Sequence, residues 1–280
     1  MKNNYYSWGV QSRIGRLLIN ILGHSAFLSD IKSHSVVKSN LPYLKTILMA
    51  LIFLASASVV QAVTYYSRAN GAWSTNSTWS TVGYTSTTNA STFPKAGDIA
   101  YIGGGFTVSV TANASCASII IDAGAVLNPT TTRTVTATTG ITINGTYTNQ
   151  STGAITTPSW ICNGTYNHAT SAEPLPKGTT TSTWAANSNC NITGSYTSAT
   201  QFANFIGQTF GNFTFNPSAM TATVCLYGDK SGSVTVQGNF NIVNTGSNTL
   251  FLRQSGYPYV GELNINGNLT MNAGTFDLHN

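Results

Sequence analysis

Ile141-Thr-Ile143-Asn-Gly145-Thr-Tyr147 is one of five short segments that repeat a single pattern: apolar, any, apolar, any, Gly, any, apolar. The others are Trp160-Ile-Cys162-Asn-Gly164-Thr-Tyr166, Cys190-Asn-Ile192-Thr-Gly194-Ser-Tyr196, Val234-Thr-Val236-Gln-Gly238-Asn-Phe240 and Leu263-Asn-Ile265-Asn-Gly267-Asn-Leu269. Alternation with period two marks a strand with one buried face. A Gly within it marks a bend or a close approach of two backbones. One such strand cannot bury its face alone, so its recurrence predicts stacked coils around a shared core, an all-β parallel β-helix. The same register predicts Ile143, Cys162, Ile192, Val236 and Ile265 in one inward column. An antiparallel sandwich is the rival architecture for an exported, Thr-rich chain of short strands.

The net charge of +5 belongs to the first part of the chain. Before Val63 there are six basic residues and one acid, Asp30; from Val63 onward six bases face six acids. A nucleic-acid-binding protein would cluster Lys and Arg on one face, and no such cluster occurs, so no nucleic-acid partner is expected. Residues 1–62 read as a leader with a signal peptide. Lys45 precedes an apolar h-region over about 46–60, and Val60-Gln-Ala62 is a small-x-small cleavage site. The apolar run is broken by Ser56, Ser58 and Gln61, short of the ~20 residues of a spanning helix. Membrane contact is therefore expected only in transit, and the product is expected to be secreted or held on the outer cell surface. The leader reading gives no role to residues 1–44.

Cys116, Cys162, Cys190 and Cys225 all lie in the exported part, which permits three disulfide connectivities. The repeat register places Cys162 in the second apolar column and Cys190 in the first. With coils ~4.8 Å apart and columns ~6.6 Å apart, that diagonal is ~8 Å, beyond the ~6.8 Å that disulfides span. Buried thiols acting as small apolar core residues are the expectation. No CxxC occurs, and neither His168 nor His279 has a ligand-spaced partner, so neither metal nor cofactor is expected.

Residues 63–168 read as an N-terminal cap followed by the first coils. Residues 169–188 read as a loop or linker, because Pro174 and Pro176 cannot donate to a ladder. Residues 189–280 read as further coils, incomplete at the C-terminal end. Gly211-Asn-Phe213-Thr-Phe215 falls in the long interval between Gly194 and Gly238 and reads as a coil whose Gly is displaced. Ile119-Ile-Ile121 reads as buried on both faces or covered by a cap.

The opening of the exported part combines Trp73 and Trp79, Pro94-Lys-Ala-Gly97-Asp98 leading to Ile102, Val108-Ser-Val110, Ser118-Ile119-Ile-Ile121, then Gly124 and Leu127. This run, over residues 64–145, resembles the start of large secreted Bacteroidetes surface proteins. It is also similar to the eight-glycine domain of polycystin-associated and hyaluronan-processing ectodomains. The resemblance implies a right-handed parallel β-helix at the front of an exported protein. It carries over no catalytic residue.

Parallel β-helices host polysaccharide lyases and hydrolases, which need carboxylates gathered about one bond. The acids here do not share a register: Asp229, Glu262 and Asp277 fall at different offsets from the repeat Gly. Asp98 and Asp122 sit in turns, where capping a backbone amide is the expected role. No GxSxG, HExxH or phosphate-cradling loop is present, and the sequence points away from an enzyme. Aromatic side chains could stack on sugars: Tyr65, Tyr66, Trp184, and Tyr257 and Tyr259 in a loop are candidates. Trp73 and Trp79 read instead as the lid of the first coil. The expected function is an exported, non-enzymatic, adhesin-like β-helical stalk whose partners are surface glycans or other cell-surface proteins. A carbohydrate-binding or polysaccharide-degrading module is the alternative.

Overall fold

The computed structural model describes residues 61–280 except Glu173, 228–231, 254–260 and 279–280. Residues 1–60, which hold nearly all of the expected leader, and Asp229, Tyr257, Tyr259 and His279 lie outside the described residues. What is described is a parallel β-solenoid of about seven turns, with a short 3₁₀ turn at Asn76–Thr78. Its strands alternate buried and half-buried residues, as in Thr107–Val110, Thr165–His168 and Asn189–Ile192. That alternation is what the β-branched, period-two sequence dictates.

Each coil has three sides. Sheet one has eight strands, from Thr64–Ser67 through Ile99–Ile102, Ala114–Ile121, Val135–Ile143 and Ser159–Cys162 to Thr181–Trp184. A further three-stranded sheet, Thr209–Phe210, Val234–Val236 and Leu263–Ile265, holds this position in the later coils. Sheet two has nine parallel strands, from Gly71–Ala72 to Leu269–Met271. The third side comprises Ala114, Val135 and Ile155 early on, then the strands around Thr200, Val224, Leu250 and Phe276. A register shift between Cys116 and Ser118 bends the long strand from the third side into sheet one.

The repeated Gly marks corners. Gly145, Gly164, Gly238 and Gly267 stand where the chain turns from sheet one, or the sheet that succeeds it, into sheet two. A Cβ on Gly164 would lie 2.2 Å from the Gly145 carbonyl oxygen, and on Gly145 2.2 Å from that of Asp122. The coils stack too closely there for any side chain. Gly211 is the corner glycine of the coil expected between Gly194 and Gly238, its Cβ site 2.3 Å from the Ala185 carbonyl oxygen.

One predicted column needs correction. Ile143 pairs with Cys162, Cys162 with Trp184, and Phe210 with Val236 and on to Ile265. Ile192 is elsewhere: it lies in sheet two, paired with His168 and Phe215. Gly194 marks the next corner of its coil, where its Cβ would meet the Thr170 carbonyl oxygen at 2.1 Å. The same short pattern serves both corners, so spacing alone could not separate them. Cys162 and Cys190 are thereby on different sheets, not on one diagonal. Cys116, Cys162 and Cys190 are buried thiols, and burial pushes the first two up to about 12.

The core runs the length of the solenoid. Aliphatic residues such as Ile102, Val108, Ile119, Ile121 and Leu127 fill the first coils. Aromatic rings follow, with Tyr147, Trp160, Tyr166, Trp184, Phe210, Phe213 and Phe240 in successive contact at 5.1–6.2 Å. Such pairs contribute about 0.5–1.5 kcal/mol each beyond their buried area. In the Ile119–Ile121 run only Ile120 faces outward, half-buried beside Tyr101.

At the N-terminal end Trp79–Ser80 pairs antiparallel with Thr64–Ser67 and closes that edge of sheet one. Trp73 and Trp79 are fully buried in T-shaped contact at 5.1 Å. The Trp79 Nε1–H donates to the Trp73 carbonyl and the Trp73 Nε1–H to the Pro94 carbonyl. In the last described coil Leu269, Met271 and Leu278 are exposed, although Leu269 and Met271 continue the inward columns of Phe240 and Ile242.

Candidate functional site

Three places on the solenoid carry chemistry: the outer face of sheet two, a cleft beneath the 169–180 segment, and a tyrosine cluster on sheet one. The outer face follows from strand geometry. Residues between the inward Val108, Leu127, Tyr147 and Tyr166 must point out, and the parallel register stacks them in columns. One column runs Ser109, Asn128, Thr148, Asn167, Asn191, Thr214, Asn241 and Thr270, one residue per strand. The second column includes Thr146, Thr165, Asn189 and Asn212. Among the described residues no outward position on this sheet is ionisable.

Side chains of these columns, and the Asn residues at the corner before them, bridge one coil to the next in the same sense. Asn163 Nδ2 donates to Asn144 Oδ1 (2.9 Å), Asn167 Nδ2 to Thr148 Oγ1 (3.2 Å) and Asn191 Nδ2 to Asn167 Oδ1 (2.9 Å). Asn212 Nδ2 donates to Asn189 Oδ1 (3.3 Å), and Thr270 Oγ1 to Asn241 Oδ1 (2.6 Å). The donor belongs to the later coil each time. The ladder arises because the same residue types recur at the same register, a feature that the five glycine motifs alone do not disclose.

The cleft has a volume of about 180 Å³ and lies between the 169–180 segment and the strand end at Asn149–Ile155. Pro174, Leu175, Pro176 and Ile155 give it apolar walls; Asn149, Lys177 and Asn204 are its polar members. Asn204 holds a left-handed backbone at φ 67, a conformation Asn tolerates. The segment is docked against the chain around Ala203–Gln208. Leu175 and Pro176 are buried, the Leu175 amide donates to the Ala203 carbonyl, and Asn204 and Gln208 donate back to the carbonyls of Leu175 and Pro176. Of the expected loop 169–188, Thr181–Trp184 is a strand of sheet one.

A directional relay stands behind this cleft. His168 Nε2 lies 2.8 Å from the Ala172 carbonyl, which can only accept, so the ring carries its proton there. Its Nδ1 therefore accepts from the Tyr166 hydroxyl at 2.9 Å, whose oxygen accepts from Asn149 Nδ2 at 3.4 Å. Burial lowers the imidazole to about 4, only partly opposed by its bond to Ala172. This fully buried relay escaped the sequence reading, which weighed His168 only as a metal ligand. The cue available was its inward position two residues after Tyr166.

On sheet one Tyr66 and Tyr101 stack at 5.4 Å, with Tyr84 edge-on to Tyr66. Tyr84 lies over Gly103, where a Cβ would be 2.4 Å from its Cζ, and its hydroxyl donates to the Asp122 carboxylate. Burial first and that carboxylate second hold the Tyr84 phenol well above the usual range. Asp122 thus engages a side chain from a distant loop rather than a backbone amide. Asp98 does cap its turn, accepting from the amides of Val63 and Lys95.

The aromatic candidates distribute differently from their sequence reading. Tyr66 faces outward, while Tyr65 is buried. Trp184 is 3 % exposed, its rings packed against Trp160, Tyr166 and Phe210 and its Nε1–H donated to Gln208. It offers no face to a sugar. Among the described residues no group of three or more His, Cys, Asp or Glu could hold a metal ion, and no helix is long and apolar enough to cross a membrane. Comparison with known protein families, characterised proteins and solved structures finds no match to this chain.

Proposed function

We propose that this chain is an exported, non-enzymatic β-solenoid segment, adhesin-like, that spaces and presents a surface at the cell exterior. The observation that carries this reading is the unbroken parallel ladder of sheet two, from Gly71–Ala72 to Leu269–Met271, over a continuous core. Such a body is quasi-one-dimensional and stiff, with each coil held by its neighbours. The leader-like sequence before Val63 supports export. The likeness of residues 64–145 to the front of secreted Bacteroidetes surface proteins points the same way. Protease shaving and antibody labelling of intact cells test it. Labelling without permeabilisation is expected; signal only after lysis would overturn the reading.

A carbohydrate-binding role is the second reading, favoured by the neutral hydroxyl and amide face of sheet two. The partners expected on either reading are surface glycans or other cell-surface proteins.

A further inference from the structure

We infer that the outer face of sheet two is a binding surface for a neutral polysaccharide strand laid along the solenoid axis. This inference rests on the carbohydrate-binding reading and assigns it a place. The face spans eight register positions, about 34 Å at ~4.8 Å per coil. Its chemistry excludes other partners. Without an ionisable group among its outward positions it cannot neutralise a phosphate or sulfate chain. Without large apolar side chains over the column from Ser109 to Thr270 it lacks the aromatic and aliphatic anchors that protein interfaces use.

What the face does offer is unspent hydrogen-bonding capacity. An amide has two N–H donors and two acceptor positions. Asn167 spends one donor on Thr148 and one acceptor on Asn191, leaving one of each for a ligand. Sugar hydroxyls, which both donate and accept, match such a row. Much of the row is also preorganised: Asn167, Asn191 and Asn241 are already tied to neighbouring coils, so binding costs little further side-chain entropy there. Single contacts of this kind are weak, and a polymer engages several at once, so affinity should climb with chain length.

The test uses the full chain. Depletion onto insoluble cellulose and chitin, and affinity electrophoresis in xylan, mixed-linkage β-glucan and starch, are compared with polygalacturonate and heparin. Retention by at least one neutral polymer is expected, with trisaccharides of the same polymer binding far more weakly. Asn167→Leu with Asn191→Leu, near-isosteric on a half-buried face, should weaken retention by about tenfold or more. Thr214→Val, which removes one hydroxyl from a strand-favouring position, provides a smaller loss should the double variant fail to fold. Thr142→Val with Thr183→Val, outward on sheet one, should leave retention unchanged. Retention of no neutral polymer would overturn both this inference and the carbohydrate reading. Retention that survives the sheet-two variants but falls with those on sheet one would overturn the inference alone.

Discussion

The corner glycines show how a single atom sets the coil spacing. At Gly164 an added methyl would meet a backbone oxygen at 2.2 Å, whereas at Gly140 the nearest atom is the Ser159 Cβ at 3.3 Å. Gly164→Ala should therefore cost roughly 2–4 kcal/mol in chemical unfolding, while Gly140→Ala should stay within about 1 kcal/mol. Similar losses at both sites would mean that the stacking contact does not limit the spacing. These glycines were legible in the sequence as special positions, because a Gly inside an alternating strand demands a steric reason. Which corner each occupies was not legible, and Ile192 was misassigned for that reason. His168 gives a second residue-scale prediction. The fold holds its ring neutral down to about pH 4, whereas the unfolded chain takes up the proton near 6.5. Its stabilisation is complete above pH 6.5 and is lost as pH falls toward 4, about 3 kcal/mol in all. Urea unfolding across that range should show the decline, and His168→Gln should flatten it.

At the scale of elements, the 169–180 segment and the strand after it decide how the early coils join the later ones. Trp184 is the joint: it pairs in register with Cys162, packs on Phe210 and receives the Gln237 amide at its carbonyl. Trp184→Ala should destabilise the chain by about 3–5 kcal/mol and leave polysaccharide retention per folded molecule unchanged. Thermal unfolding and the depletion assay on the surviving folded fraction separate the two effects. Loss of retention without loss of stability would restore Trp184 as a ligand residue. In the sequence the two prolines mark a loop or linker. They do interrupt the ladder, yet Leu175 between them is buried, and its docking depends on Ala203 and Asn204, nearly thirty residues away. Contacts at that distance leave no local pattern. The Asn and Thr columns were unread for a related reason: composition showed their abundance, but only the register aligns them.

Across the whole molecule, burial is uneven. Thr146–Ser151 lies between two coils, whereas all three residues of Leu269–Met271 are exposed. Amide exchange in this chain should be slowest around the Gly145 and Gly164 corners and fastest in the Gly267 coil; uniform protection would contradict that gradient. The architecture as a whole was the most legible level, because alternation and corner glycines are repeated and each copy reinforces the last. The sidedness of the coils and the cleft were not, since both depend on uneven loops. The ladder has a mechanical consequence. Its backbone hydrogen bonds run parallel to the solenoid axis, so a pull along that axis opens a coil's bonds a few at a time instead of shearing them together. From Val108 onward, coil lengths along sheet two vary from 19 residues, Tyr147 to Tyr166, to 29, Phe240 to Leu269. Each coil let go would pay out roughly 60–100 Å of chain. Under tension the molecule should yield as a low-force staircase of unequal treads, lengthening by one coil at a time while the remainder keeps its grip.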